Sequence, residues 1–272
     1  MIESAAIIGL GLIGGSLARD LAAKGVRVFA GGRDEAAVRA AAEQGIARPL
    51  TWNEPVDVVV LAVPVVAARE LLRELVGRME GVRLITDVGS TKRSIVDAAE
   101  QMGIGDRFVG SHPLAGDHRS GWDASRTGLF EGARVYLSPT RSTEADALEL
   151  ARELWTMIGA VPEVMEAAEH DRRLAWASHL PQAASTALAR ALAEAGIARS
   201  DLGCGGRDVT RVAGSSPEMW ADILADNADE VLPALDALEL ELRALRRAVA
   251  SGDRDLLRQL LASGRNWHGE QP

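Results

Sequence analysis

The sequence predicts an α/β chain in two parts: a doubly wound parallel sheet over residues 1–140, then an all-helical unit over 141–272. Three observations predict it. Short β-rich runs alternate with helical patterns through the first half, as a parallel sheet with crossover helices requires. The apolar run at 56–63 has the character of a strand buried on both faces. After about Pro139 the periodicity turns helical.

Element by element, a strand over 5–9 leads into a helix over 14–24 with Leu17, Leu21 and Ala22 on its apolar side. A second strand over 25–30 precedes an alanine-rich helix over 35–44. The 56–63 strand is followed by a helix over 66–79, a strand over 82–87 and a helix over 92–102. Strands over 108–111 and 133–137 complete this half. An amphipathic helix over 143–158, capped by Ser142 or Thr143, and a short strand over 160–164 open the second half. Helical pattern runs over 167–195 with an interruption at Pro181, and again over 217–225, 229–250 and 254–263. The glycine-rich stretch 196–216 has the composition of a loop.

Composition narrows the function classes. With 272 residues, 47% of them hydrophobic, the chain can bury a sizeable core. A net charge of −9 argues against bulk nucleic-acid or anionic-membrane binding, and 4% aromatics against base-stacking surfaces. Cys204 is the only cysteine, which excludes an intrachain disulfide and a Cys-cluster metal site and fits a reducing cytoplasm. The most apolar run, 56–68, contains Asp57 and Pro64 and is far shorter than the roughly 20 residues of a membrane span. No basic stretch precedes the first apolar run, so a soluble chain without a signal peptide is expected.

Gly9-Leu10-Gly11-Leu12-Ile13-Gly14 is a GxGxxG directly after a strand and opening a helix. In that context the glycines permit a tight turn and close backbone approach, and the helix N-terminus attracts a pyrophosphate. Gly9, Gly11, Leu12, Ile13 and Gly14 are therefore cofactor-binding candidates. Val63 and Pro64, at the carboxyl end of the 56–63 strand, join them. Strand two ends in Ala30-Gly31-Gly32-Arg33-Asp34. Gly32 stands where an NAD site usually places a carboxylate for the ribose hydroxyls, and Arg33 suits the 2′-phosphate of NADP. NADP is the expected coenzyme; a slip of register would make Asp34 the ribose ligand and NAD the coenzyme.

Three further segments carry polar chemistry. In Asp87-Val88-Gly89-Ser90-Thr91-Lys92, Ser90 either donates to a bound oxygen or caps the helix that follows. In Gly110-Ser111-His112-Pro113, an imidazole stands at a strand's carboxyl end, with an ordinary pKa suited to proton transfer at neutral pH; a turn-bonded histidine is the bland alternative. In the helical half, His170-Asp171, His179, Asp208, Arg211 and Trp220 stand out. The nine-residue spacing of His170 and His179 is not one of the short metal-ligand spacings, so no metal site is expected. Arg211 is better read as a carboxylate clamp.

Taken in order, GLGLIGGSLA, DVGSTK, GSHPLAG, HDRRLAWASHLPQ and GGRDVTRVAGSSPEMW resemble the prephenate/arogenate dehydrogenase family of tyrosine biosynthesis. The likeness spans nearly the whole chain. It implies a Rossmann-type sheet domain, a helical dimerisation domain that makes a homodimer, and a small-molecule substrate, either prephenate or arogenate. The reaction implied is hydride loss from ring C4 with departure of CO2 from C1, which leaves an aromatic ring. It also implies roles: His112 as the base at the C4 hydroxyl, Ser90 orienting that hydroxyl and His112, and Arg211 on a substrate carboxylate. Asp208 would orient its loop, His179 would contact the substrate side chain or its carboxylate, and Trp220 would line the pocket from this chain or a partner subunit. Asp117 and Arg119, in the loop 116–122, would weigh prephenate against arogenate.

Two other readings compete. A β-hydroxyacid dehydrogenase or imine reductase shares the two-part plan, but its hydroxyacid members use a lysine in the helical half, and this chain has none after Lys92. A catalytically silent NADP-binding protein would have no use for His112, Arg211 and His179 together.

Overall fold

The computed structural model describes residues 1–78, 81–116 and 119–269. In chain order the elements are β1 (Ser4–Ile8), α1 (Leu12–Ala23), β2 (Arg27–Gly31), α2 (Glu35–Glu43), β3 (Arg48–Pro49), β4 (Val58–Leu61), α3 (Val65–Leu75), β5 (Leu84–Asp87), α4 (Arg93–Gln101), β6 (Phe108–Pro113), β7 (Arg134–Pro139), α5 (Ala145–Met157) and β8 (Val161–Val164). The helical part follows with α6 (Ala167–Leu174), α7 (Leu180–Glu194), α8 (Cys204–Val209), α9 (Pro217–Asp226), α10 (Ala228–Ser251) and α11 (Arg254–Gly269).

Among the described residues the strands form one sheet, in the order β3-β2-β1-β4-β5-β6-β7-β8. Only the β6–β7 pair is antiparallel. The order reverses direction between β1 and β4, so helices cover both faces, as the doubly wound reading requires. Alternation along the strands sorts the core into two layers. Ile7, Val58 and Val60 pack with Leu17 and Leu21 of α1 and with Leu154 and Trp155 of α5. Ile8, Val59 and Leu61 pack with Leu72 of α3 and Ile95 of α4.

Several sequence expectations are corrected. The sheet unit does not end at residue 140: β8 pairs with β7, and α5 buries Leu150, Leu154 and Trp155 in the sheet's core, so helical packing begins only with α6. Neither Ser142 nor Thr143 caps α5, whose N-cap is Glu144 without a side-chain bond. Thr143 Oγ1 instead donates to Phe108 O (2.8 Å), and Ser142 Oγ donates to Glu100. The strand expected over 56–63 pairs only over Val58–Leu61, although it is buried on both faces. The break in the long helix precedes Pro181: residues Ala175–His179 make a π turn, and Pro181 sits in the first turn of α7, where no N–H is needed. Stretch 196–216 is not irregular loop but three short helical turns, α8 among them. The two-residue β3 was not foreseen, and the 66–79 helix ends as a 3-10 turn at Val76–Arg78, with residue 79 outside the described residues.

Candidate active site

Strands β2, β1, β4, β5 and β6 run parallel, so their carboxyl ends share one edge of the sheet. Gly32, Gly9, Val63, Ser90 and His112 stand at these ends in spatial order. His112 is three strands from β1, roughly 14 Å at ordinary strand spacing, a span that a dinucleotide bridges.

At one end, Gly9 has φ +102°, and its N–H donates to Gly31 O at 2.8 Å. A Cβ at Gly9 would lie 2.3 Å from Ala62 O, and one at Gly14 would lie 1.9 Å from Gly9 O, so both positions require glycine. Gly11 is different: nothing lies within 4 Å of where its Cβ would be. Helix α1 begins at Leu12 and Ile13 with no side-chain cap and no acidic residue in its first turn. Its first amides therefore remain for an anion approaching over Gly11. The loop fits the pyrophosphate of a dinucleotide.

Beside it is a cleft of about 440 Å³ lined by Gly31, Gly32, Arg33, Trp52, Val63 and Leu71. Pro64 is the N-cap of α3 and makes no side-chain cap bond. Asp34 is committed elsewhere: Oδ1 accepts the Ala37 N–H at 3.0 Å and caps α2. Arg33 is exposed, and its side chain has no hydrogen-bond or ion-pair partner among the described residues. Gly32 has φ +149°, which a side chain strains.

At the other end, His112 lies within β6, near its carboxyl end, paired with Tyr136 of β7. Its Nδ1 is 2.8 Å from His170 Nε2, and His170 Nδ1 is 2.8 Å from Asp171 Oδ1. Asp171 also accepts the backbone N–H groups of Lys92 (2.8 Å) and Arg93 (2.9 Å), capping α4 from the helical part. Burial pushes the Asp171 carboxyl up, but bonds from His170 and these amides outweigh it and hold the pKa below the ordinary value. Hydrogen-bond logic then assigns the protons. An acceptor-only carboxylate requires a proton on His170 Nδ1, which leaves His170 Nε2 to accept from His112 Nδ1–H. His112 Nε2 is thereby left bare, as a base requires.

Burial, then the neighbouring His170, Lys92 and His179, push the His112 imidazole well below its ordinary pKa. Lys92 is fully buried and paired with Asp87; a Cβ at Gly110 would come within 3.1 Å of Lys92 Cδ. Because Asp171 caps α4, Ser90 does not, and its hydroxyl has no partner among the described residues. The hydroxyl is therefore free for the other reading, a donor to a bound oxygen.

The helical part continues this polar line. Asn227 Nδ2 donates to Asp171 O at 2.8 Å and lies 3.2 Å from His179 Nδ1. The Trp220 ring meets His179 of the same chain edge-on, with centroids 6.0 Å apart. Its Nε1 is buried without a partner among the described residues. Asp226 accepts from Thr91, Ser94 and Arg69 and so fastens α9 to α3 and α4. Arg211 lines a separate cleft of about 1230 Å³ together with Gly116, Leu192, Arg199 and Leu202. Gly116, four residues beyond His112, also lines that cleft. The Asp208 side chain is exposed and has no hydrogen-bond partner among the described residues; Thr210 Oγ1 donates to Gly206 O in the same segment. Asp117 lies outside the described residues.

The sequence marked His170-Asp171 but gave the pair no role, weighing His170 only with His179 as a discounted metal pairing, and it did not single out Asn227. The usable signal was the His-Asp pair on the buried face of α6. Among the described residues no group of three or more His, Cys, Asp or Glu side chains could hold a metal ion.

Buried His170 and His179 and half-buried His112 set an acid limit on stability. Burial lowers the pKa of His112 and His170, and that of His179 to about 4. Below about pH 6.5 the unfolded chain takes up protons that the folded chain does not. Stability is thus full above pH 6.5 and falls on acidification, by up to about 1.4 kcal/mol per imidazole per pH unit. Thermal unfolding from pH 8 to 5 should show Tm falling below pH 6.5; a flat or rising Tm would contradict this proton distribution.

A sheet edge with a capless glycine turn at one end and an imidazole at the other fits one class, an oxidoreductase that uses a nicotinamide dinucleotide. Comparison with known proteins makes this particular. The family description "Prephenate dehydrogenase, nucleotide-binding domain" matches residues 17–164, and "Prephenate dehydrogenase, dimerization domain" matches 166–263. The chain belongs to the prephenate dehydrogenase family. The gap between the matches falls where β8 ends and α6 begins.

Prephenate dehydrogenase of Bacillus subtilis (strain 168) is 33% identical over all of this chain and 77% of its own length. Cyclohexadienyl dehydrogenase of Zymomonas mobilis subsp. mobilis is 35% identical over 93% of this chain and 90% of its own. The crystal structure of prephenate dehydrogenase from A. aeolicus, in complex with hydroxyphenyl propionate and NAD+, superposes with a TM-score of 0.89 at 30% identity, covering 100% of this chain and 99% of that one.

Proposed function

We propose that this chain catalyses the oxidative decarboxylation of prephenate to 4-hydroxyphenylpyruvate in tyrosine biosynthesis, with NADP as the preferred hydride acceptor. The observation that carries the reading is the Asp171–His170–His112 line, which ends in a bare Nε2 at the carboxyl edge of the sheet. The bound coenzyme supplies the acceptor for the hydride from ring C4. His112 Nε2 takes the C4 hydroxyl proton as the C–H bond breaks, when that proton becomes acidic. The imidazolium that forms is shared along the line toward the Asp171 carboxylate. Ser90 orients the hydroxyl, His179 and Trp220 contact the remainder of the substrate, and Arg211 holds a carboxylate. CO2 leaves C1 as the ring becomes aromatic, so the protein's main task is positioning.

The match to a dimerization domain supports a homodimer through the helical part, where Leu232, Leu240 and Leu242 of α10 and Leu256 and Leu261 of α11 are exposed. The free, exposed Cys204 suits a cytoplasmic location, and no described helix is long and apolar enough to cross a membrane.

For the coenzyme, Arg33 and the absence of a carboxylate at Gly32 favour a 2′-phosphate, and the cap bond at Asp34 Oδ1 weighs against Asp34 as a ribose ligand. NADP should exceed NAD in kcat/KM by roughly tenfold or more, and Arg33→Ala should erase most of that ratio. Exchanging Gly32 for Asp is a poorer test, because φ +149° strains the variant. A wild-type preference for NAD would overturn the assignment.

Arogenate, or both substrates, is the second reading, favoured by the likeness to a cyclohexadienyl dehydrogenase. Measuring kcat/KM for prephenate and arogenate with each coenzyme tests the proposal. It predicts the highest value for prephenate with NADP; a higher value for arogenate would transfer the function to the second reading.

A further inference from the structure

His112 and His179 stand on either side of Asp171, yet their bonds give them opposite roles. Asn227, between α9 and α10, is fully buried beside His179 and the Asp171 backbone. Its amide orientation is fixed by the Asp171 backbone carbonyl, which can only accept, so Nδ2 must face that oxygen at 2.8 Å. The second Nδ2 hydrogen is then directed to His179 Nδ1 at 3.2 Å. Asn227 Oδ1 is left buried without a partner, so this orientation is kept at the expense of the amide's own acceptor. A donor at Nδ1 requires a lone pair there, which puts the one proton of a neutral His179 on Nε2.

We infer that Asn227 is a positioning residue that holds His179 as an Nε2–H donor, opposite in tautomer to the Nε2 acceptor of His112. The inference deepens the reading above, in which His179 faces the substrate: a fixed, uncharged donor suits the carboxylate or keto oxygen of the side chain. One imidazole takes the proton of the C4 hydroxyl while the other offers a hydrogen bond and cannot compete for that proton. The titratable groups facing His179 are Asp171 and His170 on α6 and His112 on β6; Trp220 on α9 and Asn227 add no charge. Burial lowers the His179 pKa to about 4, against the attraction of Asp171, which is consistent with a neutral ring at working pH.

The test is 15N NMR of histidine-labelled protein, which reports the protonated ring nitrogen without any turnover. Wild-type His179 should be neutral and protonated at Nε2 from pH 6 to 8. In Asn227→Asp, a carboxylate of nearly the same shape faces Nδ1, so Nδ1 should become protonated and the imidazole should titrate within that range. Substrate KM, flat with pH in the wild type, should then acquire a matching pH dependence while coenzyme KM stays unchanged. A wild-type His179 protonated at Nδ1, or an Asn227→Asp protein whose Nδ1 stays bare, would overturn the inference. Failure of the proposed reaction shows separately, as an absence of turnover with prephenate alongside an intact Nε2–H signal.

Discussion

Replacing His112 with Asn lowers kcat by about 10²–10⁴ and leaves coenzyme binding intact. The amide fits the strand end but cannot take up a proton, and the Asp171–His170 pair then has no base to orient. Coenzyme binding survives because Gly9, Gly11 and Gly14 lie three strands away. In the wild type the depressed His112 pKa keeps the base deprotonated as pH falls through 6.5, so kcat/KM should stay level there and decline only at lower pH. Steady-state kinetics with a coenzyme-binding titration checks both points. A variant within threefold of the wild type would remove His112 from the mechanism.

Arg211→Ala should raise substrate KM by roughly tenfold to a hundredfold with little change in coenzyme KM, because a charge-assisted bond to a carboxylate contributes about 1.5–3 kcal/mol. The guanidinium is exposed at the large cleft and has no ion-pair partner among the described residues, so its removal leaves no buried charge behind. An unaltered Tm separates this from a folding defect. Unchanged substrate KM would give Arg211 a structural role instead.

The strand ends were legible because their signals are local. A glycine turn after a strand, a histidine after an apolar run and an arginine after paired glycines each declare themselves within a few residues. The line behind His112 was not legible. His112 and His170 are 58 positions apart, and Asp171 reaches across to cap α4, so no short window contains the arrangement. Local reasoning gave Ser90 the capping option because a serine near a helix start commonly does so; a distant carboxylate had already taken those amides. The boundary was misplaced for a similar reason. Residues 143–158 read as an amphipathic helix, but that Leu154 and Trp155 are buried against the sheet is something no periodicity reveals. Asp208 was assigned by likeness alone, with no local signal behind it.

The most direct test of the account is stoichiometry. Wild-type chain is incubated with prephenate and NADP, absorbance is followed at 340 nm, and 4-hydroxyphenylpyruvate and CO2 are measured in the same reaction. Equal amounts of reduced coenzyme, CO2 and 4-hydroxyphenylpyruvate are predicted. Reduced coenzyme without CO2, or no reduction with either coenzyme, would contradict it.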